Sequence, residues 1–340
     1  MEYLTEPEFV HGSQVRTGIL LINLGTPDEP SFWHVRRYLK EFLSDPRVVE
    51  IPRAIWWVIL NGIILWTRPS SSARKYASIW GKSGSPLRFH TEKLASALSA
   101  QLEASDGSPM LIEYAMRYGN PSIGSVLTRM RADGAERILI LPLYPQYASS
   151  TTGAAYDAVG NWLQRTRNVP EIRWLRHFHD HPAYIGSLVR QVNEFWELHG
   201  RANRLLISFH GLPRYTLEKG DPYYCECHKT ARLLAEALKL TPEEWQLSFQ
   251  SRFGAARWLE PYTVSTLTEW GRAGLRRVDV ICPGFVSDCL ETLEELDGEN
   301  REIFLHHGGE QFTYIPCLNA SDEGMHVIQS VMRRELMGWI

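Results

Sequence analysis

The sequence predicts an α/β protein of two similar doubly wound lobes, each a parallel sheet flanked by helices. Three observations predict it. Short apolar, β-branched runs ending in Gly or Pro recur along the chain. Segments of helical periodicity lie between them, which implies βαβ units. Two of the runs also resemble each other. A length of 340 residues suits two domains, and contents of 44% hydrophobic and 22% charged residues are those of a globular protein with a real core.

The strand candidates, in order, are Gly18–Leu24 (GILLINL), Arg137–Leu141 (RILIL), Arg204–Phe209 (RLLISF) and Arg277–Cys282 (RVDVIC). Helical periodicity marks Glu92–Leu102, Tyr184–Trp196 and Thr230–Leu240. LLINLGTP (Leu20–Pro27) is similar to LLISFHGLP (Leu205–Pro213), and LPLYPQYASS (Leu141–Ser150) loosely matches CPGFVSD (Cys282–Asp288). Each is a strand running into a Gly/Pro turn, as a duplicated lobe would have. The polar stretch Asn161–Pro170 places the boundary near it, dividing the chain into lobes 15–160 and 161–319.

Composition narrows the function classes. With 36 basic and 39 acidic residues the net charge is −3, so no nucleic-acid partner is expected. The N-terminal stretch lacks the basic and apolar regions of a secretory signal. The five cysteines are Cys225, Cys227, Cys282, Cys289 and Cys317, an odd number that reads as a reduced, cytoplasmic setting. No run reaches the roughly 20 apolar residues that span a bilayer. The nearest, Ala54–Trp66 (AIWWVILNGIILW), is interrupted by Asn61-Gly62 and flanked by Arg53 and Arg68. It reads either as a buried helix or as an exposed apolar lip, since Trp beside Arg suits a membrane interface.

In open α/β sheets ligands bind beyond the carboxyl ends of strands. That rule selects Gly25-Thr26-Pro27, Tyr144–Gly153, His210–Pro213 and Pro283–Asp288, which two facing lobes would gather around one cleft. His210 follows a buried strand and precedes Gly211. An imidazole, with an unperturbed pKa of about 6.5, accepts a proton or gives a lone pair to a metal; equally, a His here could be satisfied by local backbone. Further on, Asp288, Glu291 and Glu295 share one face of a predicted helix Asp288–Leu296, opposite Leu290, Leu293 and Leu296. Such a stripe can carry protons or hard cations. It can also be a capping box, Asp288-x-x-Glu291, with solvated neighbours. Thr151–Gly153 lacks the spacing of a phosphate loop, no GxGxxG follows a strand, and Cys225-x-Cys227-His228 is a weak metal signal.

Together the segments resemble the ferrochelatase family, over nearly the whole chain. LLINLGTPDEP (Leu20–Pro30), YAMRYGNPSI (Tyr114–Ile123), LYPQYASSTTG (Leu143–Gly153), SFHGLP with KGDPY (Ser208–Pro213, Lys219–Tyr223), FQSRFGAARWLEPYT (Phe249–Thr263) and CPGFVSDCLETLEEL (Cys282–Leu296) carry it in the family's order. The resemblance implies a chelatase-like pair of lobes with a porphyrin cleft between them, and a C-terminal helix (about Glu323–Met337, within 320–340) packing back on the first lobe. It implies the insertion of Fe²⁺, a substrate, into protoporphyrin IX to give protohaem and two protons, with no organic cofactor. By the resemblance, His210 is the catalytic base or a metal ligand, Glu291 its acidic and metal-binding partner, and Glu295 the next carboxylate in line. Leu24, Arg117, Tyr118, Tyr144, Ser150, Trp258 and Phe285 match porphyrin-contacting positions, with Arg117 pairing a propionate. Leu24 stands where relatives have Met or Tyr and cannot coordinate iron. Cys289 replaces a His of some relatives. A [2Fe-2S] cluster is not expected, because the chain ends at ELMGWI without the cysteine-bearing extension. Ala54–Trp66 falls in the family's active-site lip, which implies peripheral contact at the inner membrane surface. Rival readings are a chelatase acting on coproporphyrin or inserting Co²⁺, and a non-catalytic porphyrin or haem carrier.

Overall fold

The structure, a computed structural model, describes residues 2–106, 110–254 and 256–339. Its strands form two four-stranded parallel sheets. The first contains β1 (Arg16–Thr26), β2 (Leu111–Gly119), β3 (Ala135–Pro142) and β4 (Glu171–Trp174) in the order β2-β1-β3-β4. The second contains β5 (Arg204–His210), β6 (Trp245–Gln250), β7 (Arg277–Ile281) and β8 (Gln311–Ile315) in the order β6-β5-β7-β8. The two sheets thus share one topology, and the two similar motifs end β1 and β5, the first strand of each.

The central strands explain themselves. Ile19–Ile22 of β1 and Ile138–Leu141 of β3 are wholly enclosed, because helices cover both faces of a parallel sheet and leave no solvated side. Leu20 and Ile22 pack with Ile138 and Ile140 against Ile123, Val126, Leu127, Val159 and Trp162 from the flanking helices Ile123–Ala132 and Ala154–Leu163. In the second sheet Leu206, Val278 and Val280 pack against Leu267, Trp270, Leu296 and Phe304. The helices Pro86–Asp106, Pro182–His199 and Tyr223–Ala237 contain or overlap the periodic segments read from the sequence.

Contacts divide the chain into two compact units. One carries β1–β4 and the last stretch from Ile328; the other carries Tyr144–Tyr147 and Phe178–Val327. The polar stretch Asn161–Pro170 does not end the first unit. It leads into β4, whose residues Glu171–Trp174 pair with Arg137–Ile140 of β3. Within the first unit the C-terminal stretch is tied down by polar contacts: Arg173 donates to the carbonyls of Glu335 and Met337, and Trp339 Nε1 donates to Glu171.

The apolar segment Ala54–Trp66 is not a plain buried helix. It forms the helix Arg53–Ile59, a π-helical turn Leu60–Ile64 and a last turn Leu65–Thr67. Leu60 and Leu65 are buried, whereas Ile55, Val58, Ile63 and Trp66 are exposed and Trp57 is 66% exposed. Trp33 is also exposed and meets Trp66 edge to face, and the Arg36 guanidinium lies 4.7 Å from the centroid of Trp66. Among the described residues no helix is long and apolar enough to cross a membrane.

Candidate active site

His210 is the last residue of β5, paired in register with Gln250 of β6. The strand therefore delivers it rigidly to the carboxyl end of the sheet. Its Nδ1 lies 2.7 Å from the carbonyl of Gly211. A carbonyl can only accept, so Nδ1 carries a proton, and the lone pair of the neutral form of the ring falls on Nε2. The local-backbone reading of this residue therefore applies to Nδ1, and Nε2 is the nitrogen that the functional reading would use. Tyr223 fixes the backbone from behind by donating its hydroxyl to the His210 carbonyl at 3.0 Å. Gly211 is required by close approach. A Cβ there would meet the Gln250 carbonyl at 2.6 Å, the same oxygen that accepts the Gly211 N–H at 2.8 Å. Gly25 at the matching end of β1 has φ +113, and a Cβ on it would meet the Tyr118 carbonyl at 1.8 Å.

The carboxylates sit on a different helix from the one expected. Residues Glu291–Asn300 form a ten-residue π-helix, whose i→i+5 bonding is rare and concentrates at functional sites. Of the proposed line of three acids, only Glu291 and Glu295 lie on this helix. Asp288 precedes the π-helix and is buried, accepting hydrogen bonds from Tyr314 Oη at 2.7 Å, Asn319 Nδ2 at 2.7 Å and Thr292 Oγ1 at 3.0 Å. It is an anchor, and neither a member of the stripe nor a capping box.

Glu291 and Glu295 remain, both partly buried. Gln250 ties this helix to the histidine strand: its Nε2 donates to the Glu291 carbonyl at 3.0 Å, while its Oε1 accepts from Ser208 Oγ of β5 at 2.8 Å. Ser251 holds Glu295 through its N–H to Oε1 at 2.7 Å and its hydroxyl to Oε2 at 2.6 Å. Burial pushes the Glu295 carboxyl above its usual range. The Ser251 bonds and the nearby His210 oppose that, and the Glu291 charge reinforces it.

His210, Glu291, Glu295 and Trp258 all belong to the second unit. Trp258 is buried and supports the Gly211 turn, with an added Cβ meeting its ring at 3.1 Å; Phe253 lies against it at 4.8 Å between centroids. Phe285 is partly buried beside the second core, and Tyr144 is buried within the second unit. In the first unit, Leu24 is partly buried near the end of β1, and Ser150 lies on the π-helical turn Ser149–Gly153 that also holds the Thr151–Gly153 motif. Tyr118 is 0% exposed, and its hydroxyl donates to Asp45 at 2.9 Å. Arg117 stacks on Tyr118, pairs with the buried carboxylate of Asp45 and donates from Nε to the Ala154 carbonyl at 2.8 Å. Its Nε and one terminal nitrogen are therefore already engaged.

Gln250, Ser251 and Asp45 were missed by sequence reasoning. For the first two a signal existed. They lie at and just beyond the end of β6, and recognising that strand would have selected its loop by the same carboxyl-end rule. The cysteines are all free thiols; Cys225 is exposed and the other four are buried. Burial pushes the Cys227 thiol up and the neighbouring His228 imidazole down.

The ferrochelatase family model matches residues 16–336. The chain is 57% identical to a ferrochelatase of Aromatoleum aromaticum over 338 residues, 99% of this chain and 93% of that one. It is 56% identical to a ferrochelatase of Chromobacterium violaceum over 337 residues, with the same coverage of each. Among solved structures, SirB from Bacillus subtilis with Fe³⁺ aligns with a TM-score of 0.56 at 12% identity, covering 94% of this chain and 96% of that one. The sirohydrochlorin chelatase SirB in complex with cobalt aligns at 0.54 and 10% identity, covering 94% and 95%. At such identities these structures support the fold alone.

Proposed function

The chain belongs to the ferrochelatase family, and on that footing we propose that it inserts Fe²⁺ into protoporphyrin IX, forming protohaem and releasing two protons. The observation that carries the mechanism is the His210 ring, whose Nδ1 is committed to Gly211. Metallation must strip two pyrrole N–H protons, and a fixed neutral imidazole accepts one through Nε2. Glu291 receives the incoming metal, because the single Nε2 lone pair of His210 is used on the pyrrole proton. Glu295, whose carboxyl burial pushes above its usual range, takes the second proton and passes protons onward.

The porphyrin is proposed to meet Leu24, Tyr144, Ser150, Trp258 and Phe285, with Tyr118 acting from behind as the support for Arg117. With Asp45 and Ala154 already on its guanidinium, Arg117 meets a propionate through its remaining terminal nitrogen. Incubating the purified protein anaerobically with Fe²⁺ and protoporphyrin is expected to give the Soret band of haem. No haem there, with turnover of Co²⁺ into another tetrapyrrole, would contradict the iron assignment. Faster turnover of coproporphyrin would contradict the protoporphyrin assignment.

A second reading concerns location. The exposed Ile55, Trp57, Val58, Ile63 and Trp66 form an apolar face with Arg36 among its aromatic rings. Trp and Arg side chains suit the headgroup level of a bilayer, so this face is proposed to rest on the membrane surface, where oily porphyrins partition. Vesicle co-sedimentation tests it: the double variant Trp57→Ser/Val58→Ser should lose binding, and undiminished binding would exclude this face.

A further inference from the structure

Ser251 has a backbone φ of +65°. Residues other than Gly are uncommon in this left-handed region, and such outliers persist where the surroundings over-determine them. Here the conformation aims two donors at one partner. The N–H reaches Glu295 Oε1 at 2.7 Å and the hydroxyl reaches Oε2 at 2.6 Å. A fork on both oxygens removes the rotational freedom of a carboxylate and strengthens each bond through its charge. The fork is itself held, because Gln250, one residue earlier, is bound to β5 through Ser208 and to the π-helix through the Glu291 carbonyl.

Resting on the reading of Glu295 as a working carboxylate, we propose that Ser251 is its positioning residue in porphyrin metallation. It fixes the carboxylate in the orientation the reaction uses.

Three variants separate the hydroxyl from the backbone. Ser251→Ala removes the hydroxyl and keeps the left-handed strain. Ser251→Gly removes the hydroxyl and relieves the strain, so it folds even if the Ala variant does not. Ser251→Asn tolerates the left-handed region and returns an N–H donor. Ser251→Ala and Ser251→Gly should each lower kcat about tenfold with KM for porphyrin unchanged, and Ser251→Asn should recover most of it. Placed on Glu295→Gln, neither should cause a further loss, because the residue acts only through that carboxylate. A Ser251→Gly enzyme with wild-type kcat, or losses that multiply with Glu295→Gln, would overturn the proposal. An inactive wild type, or a fully active His210→Ala, would instead overturn the reading of the site on which the proposal rests.

Discussion

At the scale of single residues, the site is built from hydrogen bonds that assign protons. Gly211 sets the His210 tautomer, and Ser251 sets the Glu295 orientation. Glu295 is held against its own ionisation by burial. A carboxyl whose folded pKa exceeds its unfolded value contributes stability that is fully present below the unfolded pKa, about 4.3, and is lost as pH rises through the folded pKa. Glu295→Gln should therefore raise the melting temperature at pH 7, and the gain should shrink as pH falls toward 4. An unchanged or lowered melting temperature at pH 7 would contradict this account of the carboxyl. Arg117 behaves oppositely. Its partner Asp45 is buried, and Arg117→Ala leaves that charge uncompensated. Denaturant melts should show a loss of about 3 kcal/mol, so lowered activity in this variant reflects stability before propionate binding. A loss near zero would return Arg117 to a purely ligand-facing role.

At the scale of elements, the π-helix Glu291–Asn300 is placed by its anchor at Asp288. Asp288→Ala orphans the groups of Tyr314 and Asn319 that donate to it, and should cost about 3 kcal/mol in urea melts. A cost below about 0.5 kcal/mol would show that the helix start is held elsewhere. The elements were unequally legible for a physical reason. The four strands readable in the sequence, β1, β3, β5 and β7, are the central pair of each sheet, covered on both faces and so largely apolar. The four that escaped, β2, β4, β6 and β8, are all edges. Their stretches, such as Glu171–Trp174 and Gln311–Ile315, mix polar residues into short runs and carry no such signal. The π-helix was unreadable for a different reason: Asp288, Glu291 and Glu295 fit α-helical spacing equally well.

At the scale of the whole molecule, two units of one strand order explain why His210 and Gly25 mark matching strand ends. The resemblance of Leu20–Pro27 to Leu205–Pro213 was visible because it lies on the central strands. His210, Glu291 and Glu295 were legible from their loop and their helix. Gln250 and Ser251 fall in the Phe249–Thr263 segment of the resemblance, but with the edge strand β6 unread nothing gave them a role. The central claim is that His210 Nε2 removes a pyrrole proton. Its most direct test is single-turnover metallation of protoporphyrin by anaerobic Fe²⁺, comparing wild type with His210→Ala and measuring porphyrin affinity by fluorescence in parallel. The account predicts a loss of about 10²-fold or more in the rate of haem formation with affinity nearly unchanged. Haem formation by His210→Ala at the wild-type rate would contradict it.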